Sequence, residues 1–212
     1  MSYYPVFLEM AGRSSIVIGG GAVAERKVRQ LLECGATVTV VAKDVSASLN
    51  EMANDGRISL ICRRYEKGDL SGAFLAIAAT DDREVNEGVA GEAREQGILV
   101  NIADAPDMCD FIAPAVIRRG DLVVAISTGG LSPALARRVR EELETMLGPE
   151  YEQLALLLGV VRRELRQQGV AVESDRWQKA VDSDLRALLR RGDLAAAKEM
   201  LLARLVGVAS TG

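Results

Sequence analysis

Ser15-Ile-Val-Ile-Gly-Gly-Gly-Ala-Val-Ala-Glu25 decides the fold of this chain. A short β-branched run, Ile16-Val17-Ile18, enters a loop of three glycines, and a helix-forming segment from Ala22 to Leu32 follows at once. The spacing Gly19-x-Gly21-x-x-Ala24, set between strand and helix, is the dinucleotide-binding fingerprint. Gly19 allows the tight turn, Gly21 lets the backbone approach a pyrophosphate, and small Ala24 lets helix and strand pack closely. The unpaired amides that open the helix, around Gly21, Ala22 and Val23, would hold the phosphates with the help of the helix dipole. A structural turn is the competing explanation, since glycine loops also simply reverse chains.

Outward from that loop the pattern alternates. Thr37–Val41, Ile58–Cys62, Phe74–Ala78 and Ile98–Ile102 have the near-continuous apolar character of strands covered on both faces, and Asp82–Gln96 has that of a helix. Strand–helix alternation of this kind predicts a Rossmann-type parallel sheet. Beyond Asp110–Pro114 the rhythm changes. A turn at Arg119-Gly-Asp121 leads to one more strand, Leu122–Ile126, and a polar loop, Ser127-Thr-Gly-Gly-Leu-Ser132, precedes a helix over Pro133–Leu147 with Ser132 as its cap. Helices alone follow, over Tyr151–Gln168, Asp175–Arg191 (capped by Ser174) and Leu194–Leu205. Leu156, Leu157, Val160 and Val161, with Leu185, Leu188 and Leu189, form expected core stripes. The fold class is therefore α/β: an N-terminal Rossmann-type sheet over 1–113, a small α+β region over 114–147 and a helical domain over 148–212.

Composition narrows the function. A chain of 212 residues holds one full domain and a smaller second one. Its net charge of −4 gives no electrostatic reason to expect nucleic acid. No apolar run approaches the ~18 residues that span a bilayer, and the N-terminus lacks the basic and apolar regions of a signal peptide, so no membrane partner and a cytoplasmic location are expected. Cys34, Cys62 and Cys109 are widely spaced and form no CxxC pair, which suits free thiols better than disulfides or zinc. The chain contains no histidine. It thus has no imidazole base and no Ser-His or Cys-His pair, and proton transfer falls to Asp, Glu, Lys, Tyr or Cys. No metal-ligand set is expected.

Several motifs converge in order and spacing: Gly19–Lys27, then Ala78-Ala-Thr-Asp-Asp82 with Val85-Asn86, then Val100-Asn-Ile-Ala-Asp-Ala-Pro106 and Asp110-Phe-Ile-Ala-Pro114, and last Ala125-Ile-Ser-Thr-Gly-Gly-Leu-Ser-Pro-Ala-Leu-Ala-Arg137. Over residues 1–147 the chain closely resembles the precorrin-2 dehydrogenases of the sirohaem-synthase N-terminal type, and the helical tail follows in length and character. The Ser127–Arg137 stretch is the most specific part, because general Rossmann dehydrogenases lack it. The resemblance implies NAD-dependent oxidation of precorrin-2, a tetrapyrrole, to sirohydrochlorin. In many members it also implies insertion of Fe²⁺ as co-substrate. It further implies a homodimer, with 114–147 as the dimerisation region. Ending after its helical segment, the chain would leave uroporphyrinogen methylation to another protein.

Candidate residues follow from placement and resemblance together. Lys43 and Asp44 stand beyond the second strand where a ribose-binding acid is expected. Asp44 or the backbone of both would contact the ribose, as the family's cofactor site suggests, and Lys43 leaves NADP⁺ open beside NAD⁺. Thr80 and Asp81 end the fourth strand, where open α/β sheets bind ligands, while Asp81 and Asp82 equally suit helix capping. Asp104 follows the fifth strand and so faces the same crevice; it also matches the family's catalytic aspartate, with a plain turn residue as the competing role. Asp107 and Asp110 are weaker candidates. Precorrin-2 carries many carboxylates, so Ser127, Thr128, Gly129, Gly130 and Ser132 before a helix N-terminus, together with Arg137, are candidate substrate-binding groups. Arg118, Arg119, Arg138 and Arg140 are more simply solvated, and Cys109 is a small apolar residue rather than a nucleophile. The rival from another class is a non-catalytic NAD(H)-sensing domain, which has no use for Asp104 or the Ser127–Arg137 stretch. An unrelated Rossmann oxidoreductase would need a Tyr-x-x-x-Lys or histidine constellation that is missing.

Overall fold

The computed structural model describes residues 3–207. Met1 and Ser2 of the N-terminal stretch, and 208–212 at the end of the expected helical domain, lie outside the described residues. The chain divides into two compact units at the Ala113–Pro114 junction.

In the first unit, strands β1 (Ser14–Ile18), β2 (Thr37–Val41), β3 (Ser59–Ile61), β4 (Leu75–Ala78) and β5 (Leu99–Ile102) form one sheet in the order β3-β2-β1-β4-β5. Every neighbouring pair is parallel. Helices α1 (Ala22–Glu33), α2 (Ala47–Asn54) and α3 (Arg83–Gln96) make the crossovers. The period-2 geometry of a strand sends successive side chains to opposite faces. Accordingly Val17, Val38, Val40 and Ile77 join the core under α1 and α2, while Ile16, Ile18, Ala76 and Ala78 join the core under α3. Ala24 of α1 is fully buried, as its closeness to the sheet demands.

The second unit opens with an antiparallel hairpin of β6 (Ala115–Arg119) and β7 (Leu122–Ile126), against which α4 (Pro133–Met146) packs. Helices α5 (Glu150–Gln167), α6 (Ser174–Ala180), α7 (Ser183–Arg190) and α8 (Leu194–Val206) then enclose their own core of Leu154, Leu157, Val161, Leu185, Leu189 and Leu201.

Four expectations need correction. Helix α2 is an addition to the expected elements: its eight residues carry only two buried apolar anchors, Leu49 and Met52, after the Ser46 cap, too few to make a helical stripe. Strand β6 precedes the expected turn at Arg119-Gly-Asp121 and takes in Arg119, its polar end masking the strand pattern. The single helix expected over Asp175–Arg191 is two, because Asp182 leaves helical geometry and caps α7 by accepting from the Asp184 and Leu185 amides; Ser174 begins α6 rather than capping it. Of the α5 stripe, Leu157 and Val161 are buried but Leu156 and Val160 are exposed. Consecutive helix positions differ by about 100°, so Leu156 and Val160 fall outside the Leu154–Leu157–Val161–Leu165 face.

The first unit also contains a buried carboxylate. Glu92 of α3 is 2 % exposed and accepts from the Gly68 and Leu70 amides, the Tyr65 hydroxyl and the Gln96 amide. It ties the connection between β3 and β4 to α3, and its bonded oxygens explain how a polar group is tolerated there.

Candidate active site

The strand order reverses between β1 and β4, and ligands of open α/β sheets bind outside the carboxyl ends at such a point. The loop Gly19–Gly21 leaves β1 there, beside Ala79–Asp81 leaving β4. Gly19 has φ +120°, and a Cβ on it would collide with the Ala79 carbonyl. Gly20 is equally constrained, for a different reason: its Cβ would overlap the Asp44 carbonyl and Val45. Its own carbonyl accepts from the Ser46 amide at 2.9 Å. The sequence pattern treats Gly20 as a variable position, whereas here it is what lets the β2–α2 connection close over the loop. Gly21 is the N-cap of α1, and a Cβ on it would meet nothing within 4 Å. The helix has no side-chain cap bond and the space beside Gly21 is open, which fits a pyrophosphate on the amides of the first turn.

Lys43 and Asp44 sit on the exposed connection that Gly20 holds. Behind it, Glu25 of α1 bonds Arg29 and the Ser46 hydroxyl, and Arg29 in turn reaches Ser48. These bonds, that from Arg29 foremost, hold the Glu25 carboxyl below the usual range.

A cleft of about 530 Å³ lies at the carboxyl ends of β4 and β5. Val23 lines it from α1, Thr80 and Asp81 from the end of β4, Asn86 from α3, and Asp104 and Asp107 from beyond β5. Of the candidates, Val23, Thr80 and Asp104 therefore share one cavity, and Asp44 does not line it. Asp82 caps α3 through the Glu84 and Val85 amides, while Asp81 faces the cleft. Thr80 accepts from the Asp82 amide at its hydroxyl and from Asn86 Nδ2 at its carbonyl, 3.0 Å away. Asn86 is 8 % exposed, and its Oδ1 is buried without a hydrogen-bond partner.

Asp104 has φ +59°, the one positive value outside glycine among the described residues. A left-handed backbone is tolerated by aspartate better than by most residues, but it still costs free energy and must be imposed by the surroundings. The surroundings are visible. Asn101 of β5 donates to the Phe111 carbonyl at 2.9 Å, and Asp110 exchanges bonds with Val100 through both its amide and its carboxylate. The Cys109 sulfur accepts from the Ile102 amide. The Val-Asn pair and Asp110 are thus the straps of the segment that carries Asp104. Burial pushes the Cys109 thiol up, which favours its protonated form.

The remaining candidates belong to the second unit. The Ser127, Thr128 and Ser132 hydroxyls build their own loop: Ser127 accepts from the Gly129 amide, Thr128 from the Ser132 amide, and Ser132 caps α4 at the Leu135 amide. Gly129 and Gly130 both have positive φ. The arginines separate clearly. Arg119 pairs with Glu144, Arg138 with Glu142 and Arg140 with Glu144, whereas exposed Arg137 has no ion pair among the described residues. No group of three or more His, Cys, Asp or Glu gathers to hold a metal among the described residues, and no helix there is long and apolar enough to cross a membrane.

Sheet order, cap-free helix and cleft together define a Rossmann-type dinucleotide-binding protein. Comparison with known proteins agrees: the family described as "Putative NAD(P)-binding" matches residues 6–115, and that described as "Sirohaem biosynthesis protein central" matches residues 119–146. The chain is 31 % identical to a solved structure titled "SirC, precorrin-2 dehydrogenase", with a TM-score of 0.74 over 93 % of this chain and 100 % of that one. It is 42 % identical to the siroheme synthase of Methylococcus capsulatus over 95 % of its length, and 37 % identical to that of Nitrosococcus oceani over 98 %. It spans 43 % and 45 % of those two relatives, a little under half. The chain belongs to the precorrin-2 dehydrogenase family, of the sirohaem-synthase N-terminal type.

Proposed function

We propose that the protein oxidises precorrin-2 to sirohydrochlorin with NAD⁺. What carries the proposal is the meeting, at the switch point, of a helix N-terminus free of any side-chain cap with a cleft lined by an aspartate in a strained backbone conformation. In this scheme the α1 amides at Ala22 and Val23 hold the pyrophosphate, the Lys43–Asp44 connection holds the ribose, and Thr80 borders the nicotinamide end. NAD⁺ supplies the hydride acceptor when bound. Asp104 accepts the proton that leaves the macrocycle as the hydride departs, so both charges are accounted for; with no histidine in the chain, a carboxylate is the natural base. Ser127, Thr128, Gly129 and Ser132 with unpaired Arg137 are proposed to recognise substrate carboxylates. Iron insertion would use Asp104 a second time, to relieve pyrrole nitrogens of their protons, with Fe²⁺ as substrate.

An anaerobic assay with enzymatically made precorrin-2 and NAD⁺, followed by addition of Fe²⁺, tests both steps. Appearance of the sirohydrochlorin spectrum with NADH formation is expected, and its absence in folded protein that binds NAD⁺ would reduce the chain to a sensing domain. Sirohaem formation above the rate without protein decides the second step.

A further inference from the structure

The helical part of the second unit contains a groove of about 1150 Å³ that no role described so far uses. Its floor is apolar: Leu158, Val170, Val172, Trp177 and Val181 lie in it and pack onto the helical core. Ala155 and Gly159, one turn apart on α5, leave it wide. Arg162 and Arg166 line it one and two turns further along. Both arginines are exposed, and neither makes an ion pair or side-chain hydrogen bond among the described residues. No aspartate or glutamate among the described residues lines the groove.

These features select one chemistry. Two uncompensated guanidiniums call for carboxylates, which they grip in a planar, bidentate fashion. The half-buried indole and aliphatic floor call for a broad apolar face. We propose that the groove is a second binding site for a polycarboxylated tetrapyrrole, seated against Trp177 with peripheral carboxylates on Arg162 and Arg166. The choice of ligand rests on the tetrapyrrole chemistry proposed above; the presence of a site for a flat organic polyanion does not. Such a site shares no lining residue with the Rossmann cleft and would hold substrate or product in addition to it.

Trp177 is the only tryptophan of the chain, so its fluorescence reports the groove directly. Titration of the full chain with uroporphyrin, an air-stable polycarboxylated porphyrin, is expected to quench it saturably at micromolar concentration. Gly159→Phe fills the groove without displacing backbone, since a Cβ there meets only Arg163 Nη1 at 4.0 Å. That variant, and separately Arg162→Glu with Arg166→Glu, should each weaken uroporphyrin binding at least tenfold while leaving the helical circular-dichroism signal and the kcat for precorrin-2 oxidation unchanged. Equal affinity in wild type and both variants would place the porphyrin elsewhere and overturn the proposal. So would equal quenching by citrate, which has charge but no flat face. An altered association state in Gly159→Phe with unaltered uroporphyrin affinity would reassign the groove to a protein contact. Quenching intact in a wild-type protein that fails to oxidise precorrin-2 would remove the proposed reaction and leave the site; the reverse pattern would remove only the site.

Discussion

Gly19, Gly20 and Gly21 are adjacent but answer to different constraints. The first two are closed in by backbone carbonyls of the neighbouring loops, and the third faces open space. Gly20→Ala is therefore expected to destabilise the first unit by about 1–3 kcal/mol, the range for forcing an extra carbon into a filled space. Gly21→Ala should leave its thermal midpoint unchanged, and Gly21→Asp should fold normally yet lose NAD⁺, because a carboxylate would stand where the pyrophosphate belongs. Calorimetry with and without NAD⁺ separates the three; tight NAD⁺ binding by Gly21→Asp would sink the assignment of the loop. Asp104 presents the opposite case, a side chain retained against its backbone preference. Asp104→Asn is expected to slow precorrin-2 oxidation by roughly 10²–10⁴-fold with NAD⁺ affinity intact. Asp104→Gly should be equally inactive but more stable than wild type by roughly 0.5–1 kcal/mol, since glycine enters the left-handed region without steric penalty. A glycine variant less stable than wild type would show that the aspartate side chain is structural.

At the scale of elements, a part-buried ion pair joins two helices of the second unit. Glu150 opens α5 and is 5 % exposed; its carboxylate accepts from Arg190 of α7 at 2.8 Å, and that bond, before any other influence, holds its pKa below the usual range. A carboxyl depressed in the folded state adds stability that is present above its unfolded value of about 4.3 and is lost as pH falls through the folded one. Glu150→Gln should therefore destabilise the helical unit at neutral pH by about 1–2 kcal/mol, given the exposure of Arg190, and lower its thermal midpoint accordingly. The gap from wild type should close below pH 4; a gap that persists in acid would mean the carboxylate acts through packing alone. The same elements show what could be read from the chain. The apolar strands and α1 were legible because β-branched runs and the glycine spacing are local signals. Helix α2, β6 and the break at Asp182 were not, since two anchors in eight residues, a pair of arginines and one capping side chain acquire meaning only from their neighbours in space. For the candidate site, the placement of Gly19, Gly21, Thr80 and Asp104 beyond the strand ends is legible in the sequence. The strapping role of Asn101 and Asp110 is not, because it depends on a pairing that crosses from β5 to the segment beyond it.

At the scale of the molecule, α4 and the loop before it leave apolar side chains uncovered: Leu131 is 91 % exposed, Leu135 53 % and Met146 71 %. Together with the family resemblance this supports a twofold homodimer, and sedimentation at micromolar concentration is expected to give about twice the chain mass of 22.7 kDa. A monomer under those conditions would refute it, and Leu131→Glu with Leu135→Glu should produce one. The separate cores of the two units carry a further consequence, for melting. Two assemblies of buried side chains that share none of their members need not dissolve together, so heat should be absorbed in two steps and a single unfolding free energy would not describe the chain. NAD⁺ should move only one of the steps upward, by a stabilisation that grows with the logarithm of one plus its concentration over Kd, and leave the other where it was. The calorimeter would then see as two bodies what the ribosome makes as one, and a single peak displaced whole by NAD⁺ would mean that the halves melt as a unit.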